Sequence, residues 1–112
     1  MSEINQTKYT PEPEFVISDL ETLKVMADPM RQSIMEKVCD MPINAKQISA
    51  HLNIPVTKLY YHLNMMEEYG LIKVVGTRLV SGILEKQYQS SAYTFLINRS
   101  LFDFSKGRSK QA

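Results

Sequence analysis

The sequence predicts a mainly α-helical domain with one small β-hairpin, and three observations predict it. Two apolar stripes at helical spacing, Ala45-Ile48-Leu52 and Leu59-Leu63-Met66, flank the tight connection Asn53-Ile54-Pro55. After Gly70 the apolar period drops from about 3.6 to about 2, the change expected where helix gives way to strand. Two such runs, Leu71 to Val80 and Ile83 to Gln89, surround Ser81-Gly82, a two-residue turn. A short helix, a turn, a longer helix and then a ribbon make a winged helix-turn-helix.

In chain order, residues 1–17 read as a polar, acidic leader carrying Pro11 and Pro13 and ending in the apolar patch Phe15 to Ile17. Ser18 with Glu21 forms a capping-box pattern that opens a short helix from Asp19 to Ala27. Asp28-Pro29 restarts the chain, because Asp28 can cap and Pro29 suits the first helical position, where an N–H has no partner anyway. Met30, Ile34 and Val38 form the inner stripe of a helix ending near Cys39. Asn44 and Gln47 repeat the capping pattern before the first helix of the motif. The second runs from Val56 to Tyr69 and closes on Gly70, which can take the left-handed cap conformation. Folding the ribbon about Ser81-Gly82 sets Arg78 opposite Glu85 and Thr77 opposite Lys86. The winged domain thus spans 18–90. Residues 91–112 form a C-terminal segment in which Tyr93, Phe95 and Ile97 alternate like a strand, while Asn98 could cap a helix. From about Lys106 it is a basic tail.

Composition excludes several classes. The chain has 112 residues, one domain's worth, and 44% are hydrophobic, enough for a core. Its longest apolar runs fall far short of the roughly 20 residues needed to span a bilayer, and residues 1–13 do not resemble a secretory signal. One cysteine excludes an internal disulfide framework and fits a reducing compartment, so the expected location is the cytoplasm. The net charge is only +1, but residues 1–21 carry one base against five acids while 44–112 are net basic. Such segregation suits a basic face turned to phosphate, and an acidic tail explains it equally well.

A helical wheel on 56–69 places Leu59, His62, Leu63 and Met66 inside and Thr57, Tyr60, Tyr61, Asn64 and Glu68 outside. The major groove accepts one helix, and residues in its first turns reach base edges. Thr57, Tyr60, Tyr61 and Asn64 are therefore the candidates for contacting bases, and Lys46, Lys58, Arg78 and Lys86 for contacting phosphate. Two adjacent outward tyrosines are unusual, and one of them packing under the wing is an even alternative. No metal site is expected. Cys39, His51 and His62 are scattered without ligand spacing; Cys39 reads as a small buried residue, and the two histidines as a surface and a flank residue. No cofactor is expected. Enzyme chemistry has no support either: no glycine-rich phosphate loop or nucleophile elbow occurs, and Glu67 and Glu68 lie on different helix faces.

The segments LKVMADPMRQSIMEKV and NAKQISAHLNIPVTKLYYHLNMMEEYGLIKVV, with a hairpin ending LEKQYQ, resemble the ArsR-like winged helix-turn-helix regulators over about 70 residues. The specific features are Ala27-Asp28-Pro29-x-Arg31 and the run from His62-Leu63 through Glu67, Glu68 and Gly70 to Ile72. The resemblance implies a homodimer that binds double-stranded DNA, with helix 56–69 in the major groove, the wing at 71–89 on the adjacent backbone, and a repressor's role. Metal sensors of that family carry a cysteine pair in the first helix of the motif, where this sequence has Ala45 to Ser49; other metal sites sit on terminal helices, and the tail here offers only Asp103. Metal sensing is therefore not implied. Surplus apolar residues at Tyr93, Phe95, Ile97, Leu101, Phe102 and Phe104, with Phe15 and Ile17 as partners, are the expected dimer interface. The rival reading is a winged-helix module that binds protein, favoured by near-neutral charge and an apolar wing tip at Leu79, Val80, Ile83 and Leu84.

Overall fold

Among the described residues, three of the four α-helices begin on a side chain that accepts from their first free amides, and those caps divide the chain. The computed structural model describes residues 4–6 and 9–102. Asp19 caps α1 (Leu20–Ala27), Asp28 caps α2 (Pro29–Val38), and Asn44 caps α3 (Ala45–Leu52) in a full capping box with Gln47. The fourth, α4 (Val56–Glu68), follows Pro55 without a side-chain cap. The first cap lies one residue later than expected. Asp19, not Ser18, accepts from the Thr22 amide at 2.9 Å, and its second oxygen accepts from the Thr22 hydroxyl at 2.8 Å. A carboxylate that collects two donors outcompetes a neighbouring hydroxyl for the same role.

Asn53 sits in the left-handed region at φ 54° and turns the chain from α3 into α4. Gly70, at φ 77°, ends α4 as expected. The wing is β4 (Ile72–Val80) and β5 (Ile83–Ser90), joined through Ser81 and Gly82, both at positive φ. That is the turn whose twist matches a two-stranded ribbon, and it sets the register: Arg78 pairs with Glu85 and Thr77 with Lys86. A bulge between Val74 and Gly76 interrupts the ladder nearer the core.

The β content exceeds one hairpin. Two short strands, β1 (Ile4–Gln6) and β3 (Ile43–Asn44), flank the wing in an antiparallel sheet of order β1-β4-β5-β3. A second sheet pairs β2 (Glu12–Ile17) with β6 (Ala92–Ile97) in parallel, Phe15 against Phe95 and Val16 against Leu96. The segment read as a leader thus contributes strands to both sheets. The C-terminal segment takes the strand reading first; Asn98 then caps a single 3-10 turn at Arg99–Phe102, accepting from the Ser100 amide at 3.0 Å. Phe104, Asp103 and the basic tail lie outside the described residues.

The core sits where α2, α3, α4 and the base of the wing meet. Ile34, Val38, Ile48, Leu59, Leu63, Met66, Leu71 and Tyr88 are fully enclosed. Each such side chain contributes roughly 1.5–3 kcal/mol relative to exposure. Ile17 joins the interior at 1% exposure, and the Phe15 and Phe95 rings pack on each other at 5.5 Å. Ile17 is therefore not available to another copy of the chain. This corrects its place in the expected dimer interface: it lies on the inward face of the parallel pair.

Candidate nucleic-acid interface

Helix α4 has the division of faces the wheel demands. Leu59, His62, Leu63 and Met66 are buried, and Thr57, Lys58, Tyr60, Tyr61, Asn64 and Glu68 are exposed. Neither tyrosine is covered by the wing: Tyr60 is 43% exposed and Tyr61 60%. Tyr61 instead rests edge-on against the His62 ring, 5.1 Å between centroids. His62 is buried on the inner side where the wheel placed it, not at a flank, with the Arg31 guanidinium of α2 against its ring; His51 is at the surface.

A cleft of about 290 Å³ opens where the N-terminal ends of α3 and α4 face the wing. It draws Lys46 from α3, Tyr60 from α4 and Lys86 from β5 into one concavity, whose lining also includes Ala45, Val56 and Glu85. Three of the expected contact residues therefore converge although 40 positions separate the first from the last. Thr57, Lys58, Tyr61 and Asn64 lie outside this cleft on the exposed side of α4. Below them, Tyr88 is buried, and burial pushes its hydroxyl up to about 12, with Tyr60 and Glu67 adding to the shift. It stays neutral at any working pH.

Arg78 is placed differently from a freely extended cation. Its guanidinium meets Glu85 at 3.3 Å, and its Nε is buried without a hydrogen-bond partner among the described residues. Glu85 also accepts from the Asn44 side-chain amide at 3.2 Å. This link between the N-cap of α3 and the wing was missed in the sequence, as was β3, which puts Asn44 beside Gln87. The one available signal was the register, which places Glu85 across from Arg78.

Cys39 is exposed rather than buried, at the C-terminal end of α2. Partial burial, then the Asp40 carboxylate, hold its thiol above the ordinary value, so the reactive thiolate is disfavoured. Among the described residues no three His, Cys, Asp or Glu side chains gather where they could hold a metal ion, and no helix is long and apolar enough to cross a membrane.

The helix-turn-helix domain family matches residues 26–75, from the end of α1 to the first strand of the wing. Solved structures resemble the larger unit. HlyU from Vibrio cholerae is 26% identical, with 62% of this chain covering 71% of that one at a TM-score of 0.52. Its reduced form matches at 26% identity, 62% and 68% coverage, and a TM-score of 0.51. NolR from Sinorhizobium fredii is 19% identical over 80% of this chain and 78% of that one, at a TM-score of 0.51, and shares the fold. A search of the curated proteins finds no match. The fold is a winged helix-turn-helix. Domain and neighbours together support a DNA-binding transcription regulator.

Proposed function

We propose that the chain is an ArsR-like, sequence-specific repressor that binds duplex DNA as a homodimer in the cytoplasm, where its DNA partner lies. Helix α4 enters the major groove, Thr57, Tyr60, Tyr61 and Asn64 read base edges, and the wing lies along the neighbouring backbone. The observation that carries this reading is the cleft uniting Lys46, Tyr60 and Lys86. A phosphate strand running between α3 and the wing meets a cation on each side, while the exposed face of α4 projects beyond it. Lys58 serves the same strand from the flank, and Arg78 acts there through the wing. The second copy docks on the parallel β2/β6 sheet, whose outward face carries the register partners Val16 and Leu96, both exposed.

A protein-binding role is favoured by one observation, the wing tip. Leu79, Ile83 and Leu84 are each at least 60% exposed there. Binding to random duplex DNA over a range of salt separates the two readings. A regulator that neutralises phosphates loses affinity steeply with salt, by about 0.9 in the logarithmic slope per phosphate contact. A flat salt dependence, or no binding at low salt, would leave the protein-binding module as the better reading.

A further inference from the structure

One polar cluster lies outside the cleft and behind α4. Arg31, in the first turn of α2, is largely enclosed, its side chain 11% exposed. Its Nε donates to the carbonyl of Val25 in α1 at 2.6 Å, and one terminal nitrogen meets His62 Nδ1 on α4 at 3.1 Å. The other terminal nitrogen is 3.8 Å from the Asp28 carboxylate, which also caps α2 through the amides of Met30 and Arg31. A guanidinium has donors only, so the imidazole nitrogen facing it must be the one with the lone pair. His62 is therefore the neutral Nε2–H tautomer whenever this bond exists. One side chain thus ties together the end of α1, the start of α2 and the inner face of α4.

We propose that Arg31 is a positioning residue for α4. Anchored on Val25, it holds the neutral imidazole of His62 and thereby fixes how the exposed face of α4 is presented, so that a proton on His62 releases the helix. Protonation replaces the lone pair with an N–H aimed at a guanidinium, which removes the hydrogen bond and sets two cations face to face. The charged groups acting on His62 are Arg31 of α2, Asp28 at the N-cap of α2 and Lys58 from its own helix. From the other packed elements, Glu21 and Lys24 of α1 pair with each other in solvent, and Lys46 of α3 and Lys73 of β4 are exposed. Burial of the ring, then the Arg31 charge, favour the neutral form, and Asp28 opposes them. The consequence for DNA rests on the reading given above; the latch itself does not.

The test has two arms. In the first, nuclear magnetic resonance of ring-labelled protein follows His62 with pH. The expected result is the Nε2–H tautomer at neutral pH and a titration below the ordinary histidine value of about 6.5. A ring that is charged at neutral pH, or that carries its proton on Nδ1, overturns the proposal. In the second arm, duplex affinity is measured from about pH 7.5 down to about pH 5.5 for the wild type and His62→Gln, whose amide oxygen can accept from Arg31 without titrating. Acidification ordinarily strengthens binding to a polyanion. The latch predicts that the wild type weakens by at least about fivefold, the lower end of typical coupling between sites. His62→Gln should not weaken. Parallel pH profiles for the two proteins overturn the proposal. If no duplex binds at any pH, the DNA reading fails, and the first arm still decides the latch, as it does if His62→Gln does not fold.

Discussion

The side-chain amide of Asn44 donates to Glu85 at 3.2 Å, joining the N-cap of α3 to the middle of the wing. The same carboxylate oxygen receives Arg78 at 3.3 Å, so one acid organises both the motif and its ribbon. Asn44 is 5% exposed, and a buried amide that loses its acceptor costs about 1–3 kcal/mol. Glu85→Ala should therefore lower the melting temperature, at about 4–8 °C per kcal/mol for a domain of this size. Glu85→Gln, which keeps an accepting oxygen, should lose much less. Both variants remove a negative charge beside the cleft, so both should bind random duplex DNA at least as tightly as the wild type. A Glu85→Ala protein that melts normally would show that the link is incidental.

The register that brings these residues together was legible because a two-residue turn leaves a ribbon only one way to pair. The same holds for the buried stripe of α4, which follows from helical spacing and needs no partner to be known. The parallel pairing of β2 with β6 was not legible. Its partners lie about 80 positions apart, Pro11 and Pro13 mark the first as irregular, and β6 alone shows a pattern shared by a strand and a short helix. Arg31 was visible only as part of a short signature, because its partners Val25 and His62 are brought to it by packing. The cleft likewise depends on where α3 and the wing meet.

Tyr60 lines the cleft with an exposed ring, whereas Arg78 is already engaged by Glu85. Tyr60→Ala should cost about 1–3 kcal/mol on the operator and much less on random duplex, since base contacts specify and phosphate contacts position. Lys86→Ala should weaken both alike and reduce the salt slope by about one unit. Arg78→Ala should also weaken both, with an added loss of stability from the carboxylate it leaves behind. Binding curves at several salt concentrations, beside melting curves, distinguish these effects. An unchanged operator-to-random ratio in a normally melting Tyr60→Ala protein would remove Tyr60 from the reading face.

Acid should destabilise the fold in two stages. His62 is held below its ordinary value, chiefly by burial, so its contribution is complete above the unfolded value of about 6.5 and is lost as pH falls through it toward the folded value. Asp28 follows at lower pH. Burial raises its carboxyl, but the amides of Arg31 and Met30 and the Arg31 guanidinium more than offset this and hold it below the usual range. Its contribution is present above the unfolded carboxylate value of about 3.9 and is lost as pH falls below it. Melting temperature against pH should show both steps in the wild type and only the lower one in His62→Gln. A single step shared by both proteins would mean that His62 does not titrate differently on folding.

The proposed homodimer makes a prediction about the parallel pair of strands. Among the described residues each strand of this two-stranded sheet has an unpaired edge, and such edges with apolar neighbours invite another chain. Val16 and Leu96 are register partners on the outward face, at 50% and 41% exposure, while Ile17 on the inward face is sealed at 1%. Substituting a charge should therefore have opposite consequences on the two faces. Leu96→Lys, alone or with Val16→Lys, should leave the melting temperature of the isolated fold nearly unchanged and turn a dimer into a monomer. Ile17→Lys should unfold the chain, because a charge there has no water and no counter-ion. Sedimentation equilibrium of the wild type at micromolar concentration should give twice the chain mass, and the Leu96→Lys protein the chain mass itself. If the wild type is a clean monomer, the docking role of this sheet fails. If Leu96→Lys remains a dimer, the copies meet elsewhere, and because a two-fold contact brings each altered residue to bear twice, one substitution is enough to decide.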